Sequence, residues 1–124
     1  MYYAILCYHN ESVTTAWSKE HDDAVMARLG AVHEKAAREG RLGPVARLLP
    51  TTAATTVRND RDGPVVFDGP FTETKEQLLG FYLVDCENLE SALAFTRELS
   101  EANPGGAYEV RPVALFKDGG SARS

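Results

Sequence analysis

The sequence predicts an α+β protein of the ferredoxin-like type: β-α-β, a β-hairpin, then β-α-β again. Three observations predict it. The chain opens on YYAILCYH, an aromatic and branched stretch that reads as a strand. Two later segments place apolar residues three and four apart behind a capping residue, so each reads as an amphipathic helix between strands. Between the helices, TTAATTVRND and PVVFDGP flank Arg61-Asp62-Gly63, with Asp-Gly as a hairpin turn signal. With that hairpin treated as an insertion, the order is a split βαβ sandwich.

The elements follow in turn. Residues 10–17, NESVTTAW, read as a loop. Ser18 is a suitable N-cap, and Glu20, Asp22 and Asp23 fall in the first turn, where the helix dipole favours negative charge. Val25, Leu29, Val32 and Ala36 form the buried stripe of this helix, which runs to about Glu39, and Gly40 suits a left-handed C-cap. Arg41 to Leu49 reads as the second strand, and the hairpin supplies the third and fourth. Leu78 to Asp85 is the fifth and strongest strand. Asn88 caps the second helix, with a stripe of Leu89, Ala92, Leu93, Thr96 and Leu99, and Asn103-Pro104-Gly105-Gly106 ends it. Ala107 to Lys117 reads as the last strand. Residues 1–117 form one domain, and 118–124 are a polar tail.

Two helices cover only one face of such a sheet. Yet Tyr2, Ala4, Leu6 and Tyr8 point one way in the first strand, and Tyr3, Ile5 and Cys7 the other. Phe81 and Leu83 likewise oppose Tyr82 and Val84. A sheet with one wet face alternates apolar and polar residues. This one does not, so a second copy of the chain is expected to cover the open face.

Composition narrows the function. The 124 residues are 44% hydrophobic and carry a net charge of −5 with no basic cluster. That argues against nucleic acid and against an anionic membrane surface. No apolar run approaches the roughly 18 residues of a membrane span, and the start MYYAILCYHN has no signal-peptide pattern. Cys7 and Cys86 lie in apolar surroundings, as reduced thiols of a cytoplasmic protein do. The three histidines lack HxxxH and HxH spacing, so no metal site is expected. The chain has no GxGxxG, Walker loop or GxSxG, and no cofactor is expected.

The densest polar chemistry lies in DGPFTETKEQLLGFYLVD, residues 68–85. A turn leads through Thr72 to Gln77 into an apolar strand. On this motif, together with MYYAILCYHN, ATTVRND and EVRPV in the same order, the chain resembles the YCII-related proteins, and specifically the branch named for DGPF. Leu79 stands where that branch usually has a second glycine, and the end FKDGGSARS is extra. The resemblance implies a ferredoxin-like dimeric α+β barrel. It also implies a cleft with a histidine and an aspartate, and a relative that performs a dehydrochlorination in aromatic breakdown. It implies, too, genes lying beside those of extracytoplasmic-function sigma factors.

Five residues are candidates for a site. His33 sits at the edge of the first helix's apolar stripe, where it can reach a cleft and serve as a general base. Its structural reading is a boundary histidine bonded to backbone. It resembles the wider family's helix histidine, about one turn out of register. Asp68 heads the DGP turn, which by itself suits a side chain that accepts backbone N–H bonds. Its functional reading is the carboxylate that orients His33. Glu73 and Lys75 share a face at strand spacing and suit an anionic ligand or a dimer contact. Arg111 shares a strand face with Glu109, as a salt bridge or as a clamp for a substrate carboxylate. His9 and His21 read as ordinary.

Two functions of different classes follow. One is a small cofactor-independent enzyme that abstracts a proton from a small acidic or carbonyl substrate, followed by elimination or isomerisation. The other is a non-catalytic regulatory or ligand-binding dimer, with a sigma factor as a partner.

Overall fold

The computed structural model describes residues 1–119. The last five residues of the predicted polar tail lie outside the described residues.

The first strand, β1 (Tyr2–His9), alternates as its sequence demands. Tyr3 and Ile5 are buried towards the helices, and Tyr2, Ala4 and Leu6 face the other way, half-buried. The expected loop after it holds one short helix, α1 (Glu11–Thr14), because the Asn10 side chain accepts the Ser12 N–H at 2.9 Å and caps it. Helix α2 (Lys19–Arg38) starts where Ser18 Oγ accepts the His21 N–H at 3.0 Å. It ends before Gly40, whose φ of +72° reverses the chain without the strain a side chain would add. Strand β2 (Leu42–Arg47) and a 3-10 turn (Thr51–Ala53) follow. The hairpin is β3 (Thr55–Asp60) and β4 (Gly63–Asp68). Then come β5 (Gln77–Asp85), α3 (Leu89–Ala102) capped by Asn88, and β6 (Ala107–Pro112).

The main sheet has the order β2-β5-β1-β6 and is antiparallel throughout, with β1 and β5 central. This is the order a split βαβ sandwich requires, and the ferredoxin-like α+β fold is observed. The hairpin forms its own two-stranded sheet, pairing Val57 with Val66 and Thr56 with Phe67. It stands apart from the four-stranded sheet as an inserted arm.

The core lies between the helices and one sheet face. Ile5, Val84, Phe95 and Leu99 are its largest fully buried side chains. The stripe of α3 is Ala92, Phe95, Thr96, Leu99 and Ala102, not the expected set: Leu89 is exposed and Phe95 replaces it. Leu89 is the first helical residue and lies off the packed face. Phe95 follows Ala92 by three and precedes Leu99 by four, so it completes the helical repeat. Burying a side chain of this size contributes about 1.5–3 kcal/mol. The Tyr82 ring meets Phe95 edge-on at 5.9 Å, which couples β5 to α3.

Strand β6 stops at Pro112 rather than running to Lys117. The chain then turns Phe116 onto the other sheet face, where it stacks on Tyr2 at 4.4 Å. One aromatic side chain thus covers part of the apolar face. The rest of it, around Leu6, Phe81 and Leu83, is half-buried within one chain.

Strand β5 carries a bulge: Cys7 pairs with Gly80 and Tyr8 with Leu78. At the bulge β2 comes so close that a Cβ on Gly80 would collide with the Ala46 carbonyl oxygen. Glycine is the residue that allows this approach. The bulge bends β5 beside a cavity at that end of the sheet.

Candidate active-site cleft

A cleft of about 590 Å³ opens between α2 and the helix-facing side of the sheet. Its walls come from the elements just described. Helix α2 supplies Val25, Leu29 and His33, spaced four apart so that all three face the sheet. Strand β5 supplies Tyr82, β1 supplies Cys7 and His9, and β2 supplies Val45 and Arg47. The walls are mostly apolar, with a few polar groups that converge, as in ligand pockets generally.

The central polar contact is between His33 and Tyr82. His33 Nε2 lies 2.6 Å from Tyr82 Oη, and the two rings meet edge-on at 5.1 Å. Burial shifts both groups, in opposite senses. It lowers the pKa of His33 from its ordinary 6.5 and pushes the Tyr82 phenol well above its usual range. Each shift favours the neutral form, because a half-buried charge loses hydration. At neutral pH the pair is therefore imidazole and phenol. In one tautomer Tyr82 donates to Nε2; in the other, Nε2–H donates to Tyr82 and leaves Nδ1 as a free acceptor. Either way a proton that arrives ends on the imidazole, since burial opposes a phenolate.

Two more neutral groups line the cleft beyond this pair. Burial pushes the Cys7 thiol up to about 12, so it is a weak dipole at neutral pH and not a nucleophile. The Tyr108 phenol is likewise pushed up to about 12 by burial. Charge enters at the mouth. There Arg47 Nη2 donates to Asp22 Oδ1 at 3.0 Å, tying the end of β2 to the start of α2. Both side chains line the cleft, and Arg47 is an exposed cation there, as is Lys19, which pairs with Asp23.

The candidates named from the sequence divide sharply. His33 is in the cleft, and its hydrogen-bond partner there is Tyr82 rather than backbone. Asp68, Glu73, Lys75 and Arg111 do not line it. The expected His33–Asp68 pair is corrected accordingly. Asp68 ends β4 opposite Thr55 and is exposed on the hairpin arm, outside the cleft lining. Residues 71–76 do not continue a strand, so Glu73 and Lys75 are not set by strand spacing; both are exposed. Arg111 donates through Nε to Glu109 Oε2 at 2.9 Å and through Nη2 to the same oxygen, which is the structural salt bridge. It pairs with Ala4 and so stands over the sheet face that the helices leave open.

The DGPF stretch proves to be a clamped connection. Gly69, with φ +99°, donates its N–H to the Ala54 carbonyl at 2.7 Å. Its own carbonyl accepts from Thr56 Oγ1 at 2.7 Å. At the far end, Gln77 Nε2 donates to the Thr74 carbonyl at 2.6 Å, while its Oε1 accepts the Glu11 N–H at 2.9 Å. Glu11 in turn accepts from the Thr51 N–H and hydroxyl, each at 2.7 Å. The polar half of the motif thereby holds the loops beside the cleft, while its apolar half enters the wall as β5 and delivers Tyr82.

His33 is the sequence candidate that lines the cleft; Tyr82, Arg47, His9, Trp17 and Asn103 line it without having been named as site residues. Tyr82 reads as one more aromatic of an apolar strand. The available signal was register, since the same alternation that buries Val84 places Tyr82 on the helix side.

The structure is an antiparallel α+β sandwich with an inserted hairpin, and it carries a neutral His–Tyr pair in a cleft under its first long helix. The chain belongs to the YCII-related family: the YCII-related domain matches residues 1–117. It is also similar to an uncharacterised protein of Rhizobium meliloti (strain 1021), with 62% identity over 120 residues, covering 96% of this chain and 97% of that one.

Proposed function

We propose that this protein is a cofactor-independent enzyme that removes a proton from carbon beside a carbonyl, leading to elimination or isomerisation of a small acidic substrate. The observation that supports this most is the 2.6 Å contact between His33 and Tyr82 inside the cleft. A general base needs hydrogen-bond reach, a free lone pair at working pH and partial exclusion of water. His33 meets these conditions through its lowered pKa and its half-buried position. The proton leaves substrate carbon and ends on the imidazole, directly at Nδ1 or through Tyr82 as the phenol passes its own proton to Nε2. The electron pair becomes the enolate, whose charge is balanced by the imidazolium. Arg47 takes the role first expected of Lys75 or Arg111. By exchanging Asp22 for a substrate carboxylate, it holds the acid at the mouth.

The test is exchange of carbon-bound hydrogen for deuterium in heavy water, followed by NMR over a panel of small 2-oxo and 3-oxo carboxylates. Exchange with at least one member, absent with boiled protein, supports the reading. No exchange with any member sinks it.

The second reading, a regulatory or ligand-binding dimer without chemistry, is favoured by the placement of Asp68, Glu73 and Lys75 on an exposed arm suited to a partner such as a sigma factor. Binding of panel members without exchange would favour it.

Both readings include a homodimer through the sheet face bearing Leu6, Phe81 and Leu83, which is apolar where a wet face would be polar. The protein is expected to sediment at twice the chain mass, and Leu83→Lys is expected to sediment as a monomer. A wild-type monomer at micromolar concentration would contradict the dimer.

A further inference from the structure

We propose that the cleft holds a second polar subsite, made by His9 and Asn103, that takes a hydroxyl at the far end of an elongated ligand. The inference rests on His33 and Tyr82 as the reactive end.

His9 is held in one tautomer. The Asn10 N–H donates to His9 Nδ1 at 2.8 Å, so the proton of the neutral ring sits on Nε2. That nitrogen is a hydrogen-bond donor on a cleft-lining side chain, and among the described residues it has no partner. The Asn103–Gly106 loop closes against it. A Cβ on Gly105 would lie 2.8 Å from Nε2, and one on Gly106 would collide with the Tyr8 carbonyl oxygen. Both glycines have positive φ, +100° and +71°, so the loop reaches this close only with glycine there.

The same loop begins at Asn103, the C-cap of α3 and also a cleft residue. Its Oδ1 is buried and has no hydrogen-bond partner among the described residues. A buried acceptor without a donor is costly, and native structures rarely keep one without a use. One side of this subsite therefore donates and the other accepts. A hydroxyl satisfies both at once: its oxygen accepts from His9 Nε2–H and its hydrogen goes to Asn103 Oδ1. A carboxylate would set negative charge against Oδ1, and a methyl would satisfy neither group.

The spacing sets the ligand's length. His9 lies four residues along β1 from Ile5, which pairs with Tyr82. At strand rise that is about 13 Å. The wall between the two ends is Cys7, Val25, Leu29 and Val45, with the thiol neutral. The ligand class is thus a chain with an apolar middle, a carbonyl or acid group at one end and a hydroxyl at the other.

The test uses 8-hydroxyoctanoate and octanoate as matched probes on the full chain, reading the histidine ring signals by NMR. 8-Hydroxyoctanoate should move both His9 and His33 and bind about tenfold tighter than octanoate, which should move His33 alone. Asn103→Leu and His9→Phe should each bring the affinity for 8-hydroxyoctanoate down to that for octanoate measured on the same variant. The wild-type comparison stands by itself if either variant fails to fold. Equal affinities, or a His9 ring that stays still while His33 moves, would overturn the subsite and leave the reactive-end reading intact. A response at His9 alone would support the subsite and overturn the reactive end. No response at either ring would overturn both.

Discussion

Replacing His33 with glutamine should slow deuterium exchange by roughly two to four orders of magnitude, the usual contribution of a positioned general base. Glutamine keeps a polar side chain near Tyr82 Oη, so the fold should survive, and unchanged circular dichroism would verify that. The wild-type rate should also carry the signature of the imidazole. Burial lowers the His33 pKa, so the free base persists to lower pH than an ordinary histidine, and the acid limb should have its midpoint below 6.5. The same shift has a stability consequence. Between the folded and ordinary pKa values the unfolded chain binds the proton and the folded chain does not, so stability rises with pH across that window. This contribution is complete above the ordinary value and is lost as pH falls towards the folded one. His33→Gln should lack both the rate limb and this slope. Exchange that survives the substitution within tenfold would place the base elsewhere.

Phe95→Ala should destabilise the protein by about 3–5 kcal/mol, the range for deleting a buried phenylalanine ring. Phe95 is 1% exposed, and its ring is the edge-on neighbour of Tyr82. The truncation removes apolar burial and opens a void between α3 and β5, where close packing leaves no neighbour free to fill it. A urea midpoint shift at constant slope would measure it. Exchange should fall too, since Tyr82 loses the wall that sets its ring against His33. A loss below about 1 kcal/mol would mean that the core repacks, and that Phe95 is not the element joining fold to site.

Local patterns in the sequence carried most of this fold. Ser18 and Asn88 cap their helices as capping chemistry requires, and Arg61-Asp62 turns the hairpin into Gly63, which opens β4 with φ +116°. What resisted was tertiary. The α3 stripe differs from the expected one at Leu89 and Phe95, because a three-four repeat has two acceptable phases until the sheet selects one. The last strand ends five residues before the expected Lys117, because nothing local tells Phe116 that the open sheet face will recruit it. His33 was legible from its position at the edge of a stripe. Asp68 drew notice for the opposite reason: a conspicuous motif invites a catalytic reading, and here its residues brace loops through Gly69 and Gln77. Tyr82 lies in the apolar half of that motif and reads as core, and Arg47 and His9 have no motif at all. Their chemistry arises only when β1, β2, β5 and α2 meet around one cavity.

The central claim is that His33 and Tyr82 form a neutral, coupled pair in the cleft. NMR titration of the His33 ring in the wild-type protein and in Tyr82→Phe tests it most directly. The account predicts a midpoint below 6.5 in the wild-type protein. It also predicts a changed midpoint and changed ring shifts when the phenolic hydroxyl is removed. A His33 that titrates at 6.5, indifferent to the loss of that hydroxyl, would contradict it.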